Sequence, residues 1–180
     1  MSHIAKRQLP RTRIVPAYVT RFGSLEQYEK GGVEIIDDDP KRYTFSNVFD
    51  VAAHSQPYEK VAVGKNRQYV LEAIRAEGDS EWRSTAHDEF ALVMDGEVEV
   101  ILHRLSVDEE PPEGTRGSIQ LGHEPAGPRM GRVIARRGHM TMLPAHAAYR
   151  FHADKPSVML LQTIEGADTV YRWGEICQTH

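Results

Sequence analysis

His87 and Glu89 stand two positions apart, and on a regular strand that spacing turns both side chains to one face. An imidazole beside a carboxylate can hold a metal ion through nitrogen and oxygen, or hydrogen-bond a small polar ligand. The structural alternative is a buried polar network whose members satisfy one another, because leaving such a group without a partner costs about 1–3 kcal/mol. Other sets fail on spacing. Glu97 and Glu99 are paired carboxylates on one face, which a solvated strand explains better than glycosidase-type acid/base chemistry. Ser84 and Thr85 lie near His87 without a G-x-S-x-G elbow, so nucleophilic catalysis is not expected. His54, His103, His123 and His139 have no ligand-like spacing to a second histidine. His146 falls in the Pro144 turn, and His152 and Arg150 are expected to face outward. Met140, Met142 and Met159 read as core filling. The lone Cys177 can form neither an internal disulfide nor a CxxC pair.

The elements that position these residues are strands. From Arg67 onward, short β-branched and aromatic runs alternate with Gly, Pro and Asp, as in an antiparallel sandwich or barrel. Residues 89–94 and 97–102 are expected to form a hairpin through Asp95 and Gly96, because Asp-Gly supplies the positive φ that a tight turn requires. Residues 107–130 collect Pro111, Pro112, Gly114, Gly117, Gly122, Pro125, Gly127 and Pro128 and read as a long irregular excursion. Strands resume at 131–136, 139–143, 148–151 and 157–164. Val170, Trp173, Ile176 and Cys177 recur at helical spacing and predict a short C-terminal helix.

The first 66 residues are less regular. Residues 31–36 read as a strand, 24–30 as a helical turn and 43–52 as a strand or helix. With Tyr18, Phe22, Tyr28, Phe45 and Phe49 they are expected to form an arm that wraps the barrel or a second subunit. The division is therefore an arm over 1–66 and a barrel over 67–180, in one structural domain.

Composition bounds the function. The chain has 180 residues, of which 40% are apolar and 27% charged, and no apolar run approaches the roughly 18 residues of a membrane span. The opening residues lack the apolar stretch of an export signal, so a cytoplasmic protein is expected. A net charge of −4 gives no footprint for nucleic acid, and the cluster Arg129, Arg132, Arg136 and Arg137 is read as a solvated or partner-facing strand edge.

Two stretches resemble the paired motifs of the cupin superfamily, small antiparallel jelly-roll barrels that often hold a metal inside. Glu89 to Gly96 matches the second half of the first motif, G-x5-H-x-H-x3/4-E-x6-G, but the two histidine positions fall on Arg83 and Thr85, or with the longer spacing on Trp82 and Ser84. Gly138 to Pro144 matches the opening of the second, G-x5-P-x-G-x2-H-x3-N, after which His146 stands for the glycine, Tyr149 for the histidine and Ala153 for the asparagine. The resemblance implies that the face of His87 and Glu89 is the barrel interior and that Tyr149 joins them there. Of the four ligands it would bring, Glu89 alone survives.

Longer phrases, at 57–66 (PYEKVAVGKN), 86–98 (AHDEFALVMDGEV), 131–139 (GRVIARRGH), 161–164 (LQTI) and 173–177 (WGEIC), resemble the small subunit of the two-subunit hydroquinone dioxygenases, some of whose relatives are labelled hydroxyquinol dioxygenase. In that family a larger cupin subunit carries the Fe(II) that cleaves the ring of a dihydroxylated arene with O2, and the small subunit is a cupin without a metal site. The resemblance implies an all-β cupin-type barrel in a hetero-oligomer with the larger subunit, a small aromatic substrate, and no catalytic, cofactor or metal residue on this chain. A stand-alone cupin enzyme with an atypical site of His87, Glu89 and Tyr149, or a small-aromatic-binding module, are the rival readings.

Overall fold

The computed structural model describes residues 23–28 and 47–172. Its strands are β1 (Lys60–Asn66), β2 (Tyr69–Asp79), β3 (Arg83–Thr85), β4 (Glu89–Asp95), β5 (Glu97–Arg104), β6 (Ser118–Gln120), β7 (Arg129–Arg136), β8 (Met140–Leu143), β9 (Ala147–Ile164) and β10 (Thr169–Val170). β9 is the spine. One of its edges carries β2 and then β3, the other carries β4 and then β5, all antiparallel. β1 and β10 extend the sheet beyond β2, β6 lies beside β3, β8 beside β4 and β7 beside β5. The long strands bend and the sheet curls into a cupin-type jelly-roll barrel.

Strand alternation fills this barrel. Ile74 and Ala76 of β2, Ala91 and Val93 of β4, Val98 and Val100 of β5, and Tyr149, Phe151, Met159 and Leu161 of β9 meet in one buried cluster. Each large aliphatic side chain buried there contributes about 1.5–3 kcal/mol. On the outside, α1 (Val48–Ala53) is capped by the Asn47 side chain, which accepts from the Phe49 and Asp50 amides. It lays Val48 and Val51 against Val61, Val63, Ala73 and Leu160.

Several expectations need correction. The segments around Gly96 do not form a hairpin: β4 pairs with the far half of β9 and β5 with its near half, so β4 and β5 follow one bent path along the same edge. The positive φ of Gly96, +79°, serves that bend, and Ser157 packs against it and binds Glu97 through both the amide and the carbonyl. The two strands expected at 148–151 and 157–164 are one, β9. The 107–130 excursion holds a 3-10 turn, Val107–Glu109, and β6. Met159 is core, but Met140 and Met142 are exposed, because Thr141 and Leu143 take the inward positions of β8. β1 lies inside the stretch expected as an arm yet is hydrogen-bonded into the sheet.

No helix begins at Thr169. Thr169 and Val170 pair in parallel with Lys60 and Val61, and Val170 packs against the cluster under α1, burial that a helix start at that place would forfeit. Residues 173–180, with Trp173, Ile176 and Cys177, lie outside the described residues, as do the strand expected at 31–36 and the aromatics Tyr18, Phe22 and Phe45. Of 43–52, the described part is the helix α1. Tyr28 stacks on Phe49 and donates to Asp50. Among the described residues no helix is long and apolar enough to cross a membrane.

Candidate functional site

One end of the barrel interior is polar. Glu89 opens β4 facing inward and is fully buried, and each of its oxygens accepts a hydroxyl: Tyr149 Oη donates to Oε2 at 2.6 Å and Thr163 Oγ1 to Oε1 at 2.5 Å. Both donors come from inward positions of β9. Burial, with Glu89 beside it, pushes the Tyr149 phenol well above its ordinary value, so it keeps the proton it donates.

His87 is not on a strand. It sits in the link between β3 and β4 and reaches the same network through Thr163, with Nε2 3.0 Å from Thr163 Oγ1. The Ile164 amide lies 3.2 Å from the same nitrogen, and Nδ1 lies 2.8 Å from Thr85 Oγ1. Burial lowers the His87 pKa, against the pull of Glu89, and favours the neutral ring. The three residues expected together are therefore together, as a chain His87–Thr163–Glu89–Tyr149.

A second buried group adjoins them. Glu72 of β2 accepts from Thr169 Oγ1 at 2.7 Å, and its other oxygen faces Lys60 Nζ at 3.5 Å, an ion-pair distance. Burial raises the Glu72 pKa, opposed by the Lys60 charge. Lys60 donates to Ser118 Oγ at 2.7 Å, and Arg83 reaches the same hydroxyl at 3.2 Å while pairing with Asp168 at 2.7 Å. The sequence reading missed Thr163, Glu72, Lys60 and Ser118. A signal existed for Glu72: it falls between Val70, Ile74 and Ala76 at the inward positions of β2, where a carboxylate must find a partner.

The other candidates are placed outside this interior. His152 faces out between Asp79 and Asp154, both at 3.0 Å, and Glu97 and Glu99 pair with Arg136 and Arg132 of the edge strand β7. His146, at φ +58°, lies in the turn before β9 and faces Glu110 at 3.2 Å. The interior does not fit the ferrous ion of a cupin. At the ligand positions stand a guanidinium engaged with Asp168, a threonine hydroxyl turned to His87, and a protonated phenol, and both oxygens of the remaining carboxylate are occupied. Among the described residues no three His, Cys, Asp or Glu side chains form a metal-holding group.

No family model matches the chain, and no curated protein matches it. Among solved structures it is similar to a chain of hydroquinone 1,2-dioxygenase from Sphingomonas sp. TTNP3 with 4-hydroxybenzoate bound, at 57% identity over 91% of this chain and 99% of that one, with a TM-score of 0.85. It is similar also to a chain of hydroquinone 1,2-dioxygenase PnpCD in complex with Cd2+ and 4-hydroxybenzonitrile, at 49% identity, the same coverage and a TM-score of 0.83. A longer chain, from PnpCD in complex with Fe3+, matches over 79% of this chain and 39% of its own length at 12% identity and a TM-score of 0.56, a likeness of fold alone.

Proposed function

The chain belongs to the hydroquinone 1,2-dioxygenase family, and from that membership we propose that it is the small, non-catalytic subunit of a cytoplasmic ring-cleaving dioxygenase acting on hydroquinone-like arenes. The observation that carries the reading is the 57% identity over nearly the whole of both chains. The interior supports it from the side of chemistry: Arg83, Thr85 and Tyr149 stand at the positions a cupin metal would need, and they are tied to one another's neighbours by hydrogen bonds. Fe(II) is then carried by a larger cupin subunit, and the part of this chain is to fold, to dock and to hold that subunit in its working form. The stretch before β1 is assigned to this docking as an arm.

The test is iron and oxygen uptake measured separately for each component. This chain, purified anaerobically by itself, is expected to hold almost no iron and to consume no O2 with hydroquinone; with the larger subunit, iron loads onto that subunit and uptake appears. One iron per isolated copy of this chain, with turnover, would overturn the reading.

A further inference from the structure

We propose that the part of the outer face of the β2–β9–β4–β8 sheet that α1 and the other described residues leave uncovered is the surface on which the larger subunit docks, an inference that deepens the functional reading above and rests on it. The barrel has two outer faces that differ in charge. Over β7, β5 and β9 the exposed Met130, Val133 and Ile134 are interspersed with charges paired within the chain, Glu99 with Arg132, Glu97 with Arg136, and His152 with Asp79 and Asp154. Over the other sheet, two rows run in register, Met142–Phe90–Gln162–Leu71 and Met140–Leu92–Leu160–Ala73, and neither contains a charge. The helix α1 covers the Leu160 and Ala73 end. Past that end Leu71 is 42% exposed, Met142 52% and Met140 63%, and Tyr69 stands beside them at 50%.

Methionine and aromatic side chains without charge are the composition of an interface core. The exposed part of this patch is on the order of 500 Å², at the upper end of what an ordinary monomer shows and short of the roughly 800 Å² each partner buries in a stable complex. It is therefore sized as the centre of an interface that a polar rim completes. The occupant must offer an apolar sheet of matching curvature. The longer chain of a relative shares this fold over most of this chain's length, so it carries a sheet of the same construction, and two such faces pack as aligned layers about 10 Å apart.

Oxidative footprinting of the full-length protein tests the assignment. Dilute hydrogen peroxide converts accessible methionines to sulfoxides, read residue by residue by mass spectrometry. In the chain alone, Met140 and Met142 are expected to oxidise as fast as the exposed Met130 of β7, while the buried Met159 stays intact. With the larger subunit bound, Met140 and Met142 slow by about tenfold and Met130 does not. Met140→Glu, a change at an exposed edge position that leaves the core alone, weakens the complex by about tenfold. A complex that forms without slowing either methionine, or with unchanged affinity in the variant, overturns the proposal and leaves the functional reading standing. Protection in the isolated chain at every dilution assigns the face to this chain's own residues, and protection that grows with its concentration assigns it to a second copy; either overturns it. Failure of any complex to form overturns the functional reading together with the proposal.

Discussion

At the scale of single residues, the interior is decided by who holds which proton. Tyr149 is 1% exposed and its hydroxyl has one acceptor, Glu89. Tyr149→Phe keeps the ring and its packing against Phe151 but leaves Glu89 Oε2 without a donor, at an expected cost of about 1–3 kcal/mol in urea unfolding. The same variant should alter the pH profile. The phenol's pKa is raised by folding above its ordinary 10.0, so the folded chain keeps a proton that the unfolded chain gives up, and stability falls as pH rises past that ordinary value. Tyr149→Phe removes this group's share, so the gap in unfolding free energy between wild type and variant should narrow from pH 9 to pH 11. A gap that stays constant across that range would mean that the phenol titrates normally. His87 works in the opposite direction, its neutral form being favoured by burial, and it adds a loss of stability as pH falls below the ordinary imidazole value of 6.5.

At the scale of elements, the informative place is Gly96. Asp-Gly between two alternating runs is a hairpin signal in sequence, and what the local signal contains is a positive φ, which a hairpin turn and a bend along β9 use equally. The choice between them is made by the partner strand. β9 is long enough to pair with β4 and β5 in succession, and nothing within residues 89–102 encodes that length. A Cβ on Gly96 would meet the Ser157 hydroxyl and stand 2.8 Å from Ser157 Cβ, besides forcing an alanine to φ +79°. Gly96→Ala should therefore destabilise by about 2–4 kcal/mol, strain plus overpacking, whereas Gly78→Ala, at φ +70° with open space around it, should cost only about 1–2 kcal/mol. Equal losses in the two variants would show that Ser157 yields freely and that the bend is not set there. The same limit applies to β8. Its inward and outward positions are fixed by pairing with β4, so Met140 and Met142 read as core in sequence and lie outside in the fold.

At the scale of the whole molecule, the barrel and the meeting of Glu89 with Tyr149 were legible because the motif spacings survive the loss of the ligands that gave them meaning. Thr163 and Lys60 were not, because each reaches the cluster across 74 or 58 residues of sequence, through a sheet pairing that no local pattern states. What the surviving spacing leaves open is whether Glu89 is kept for chemistry or for the fold. Its two hydrogen bonds are both internal and its side chain is wholly enclosed, so each oxygen is already engaged by a hydroxyl of β9. Glu89→Gln preserves the shape and one acceptor while removing the charge. In the proposed complex with a larger, iron-bearing subunit it should lower the unfolding free energy of this chain by about 1–3 kcal/mol yet leave iron content unchanged and kcat for hydroquinone within about twofold of wild type. Steady-state O2 uptake with metal analysis of the purified complex makes the comparison. A fall of a hundredfold or so in kcat, with the complex and its iron intact, would place Glu89 in the reaction and end the account of this barrel as a purely structural one.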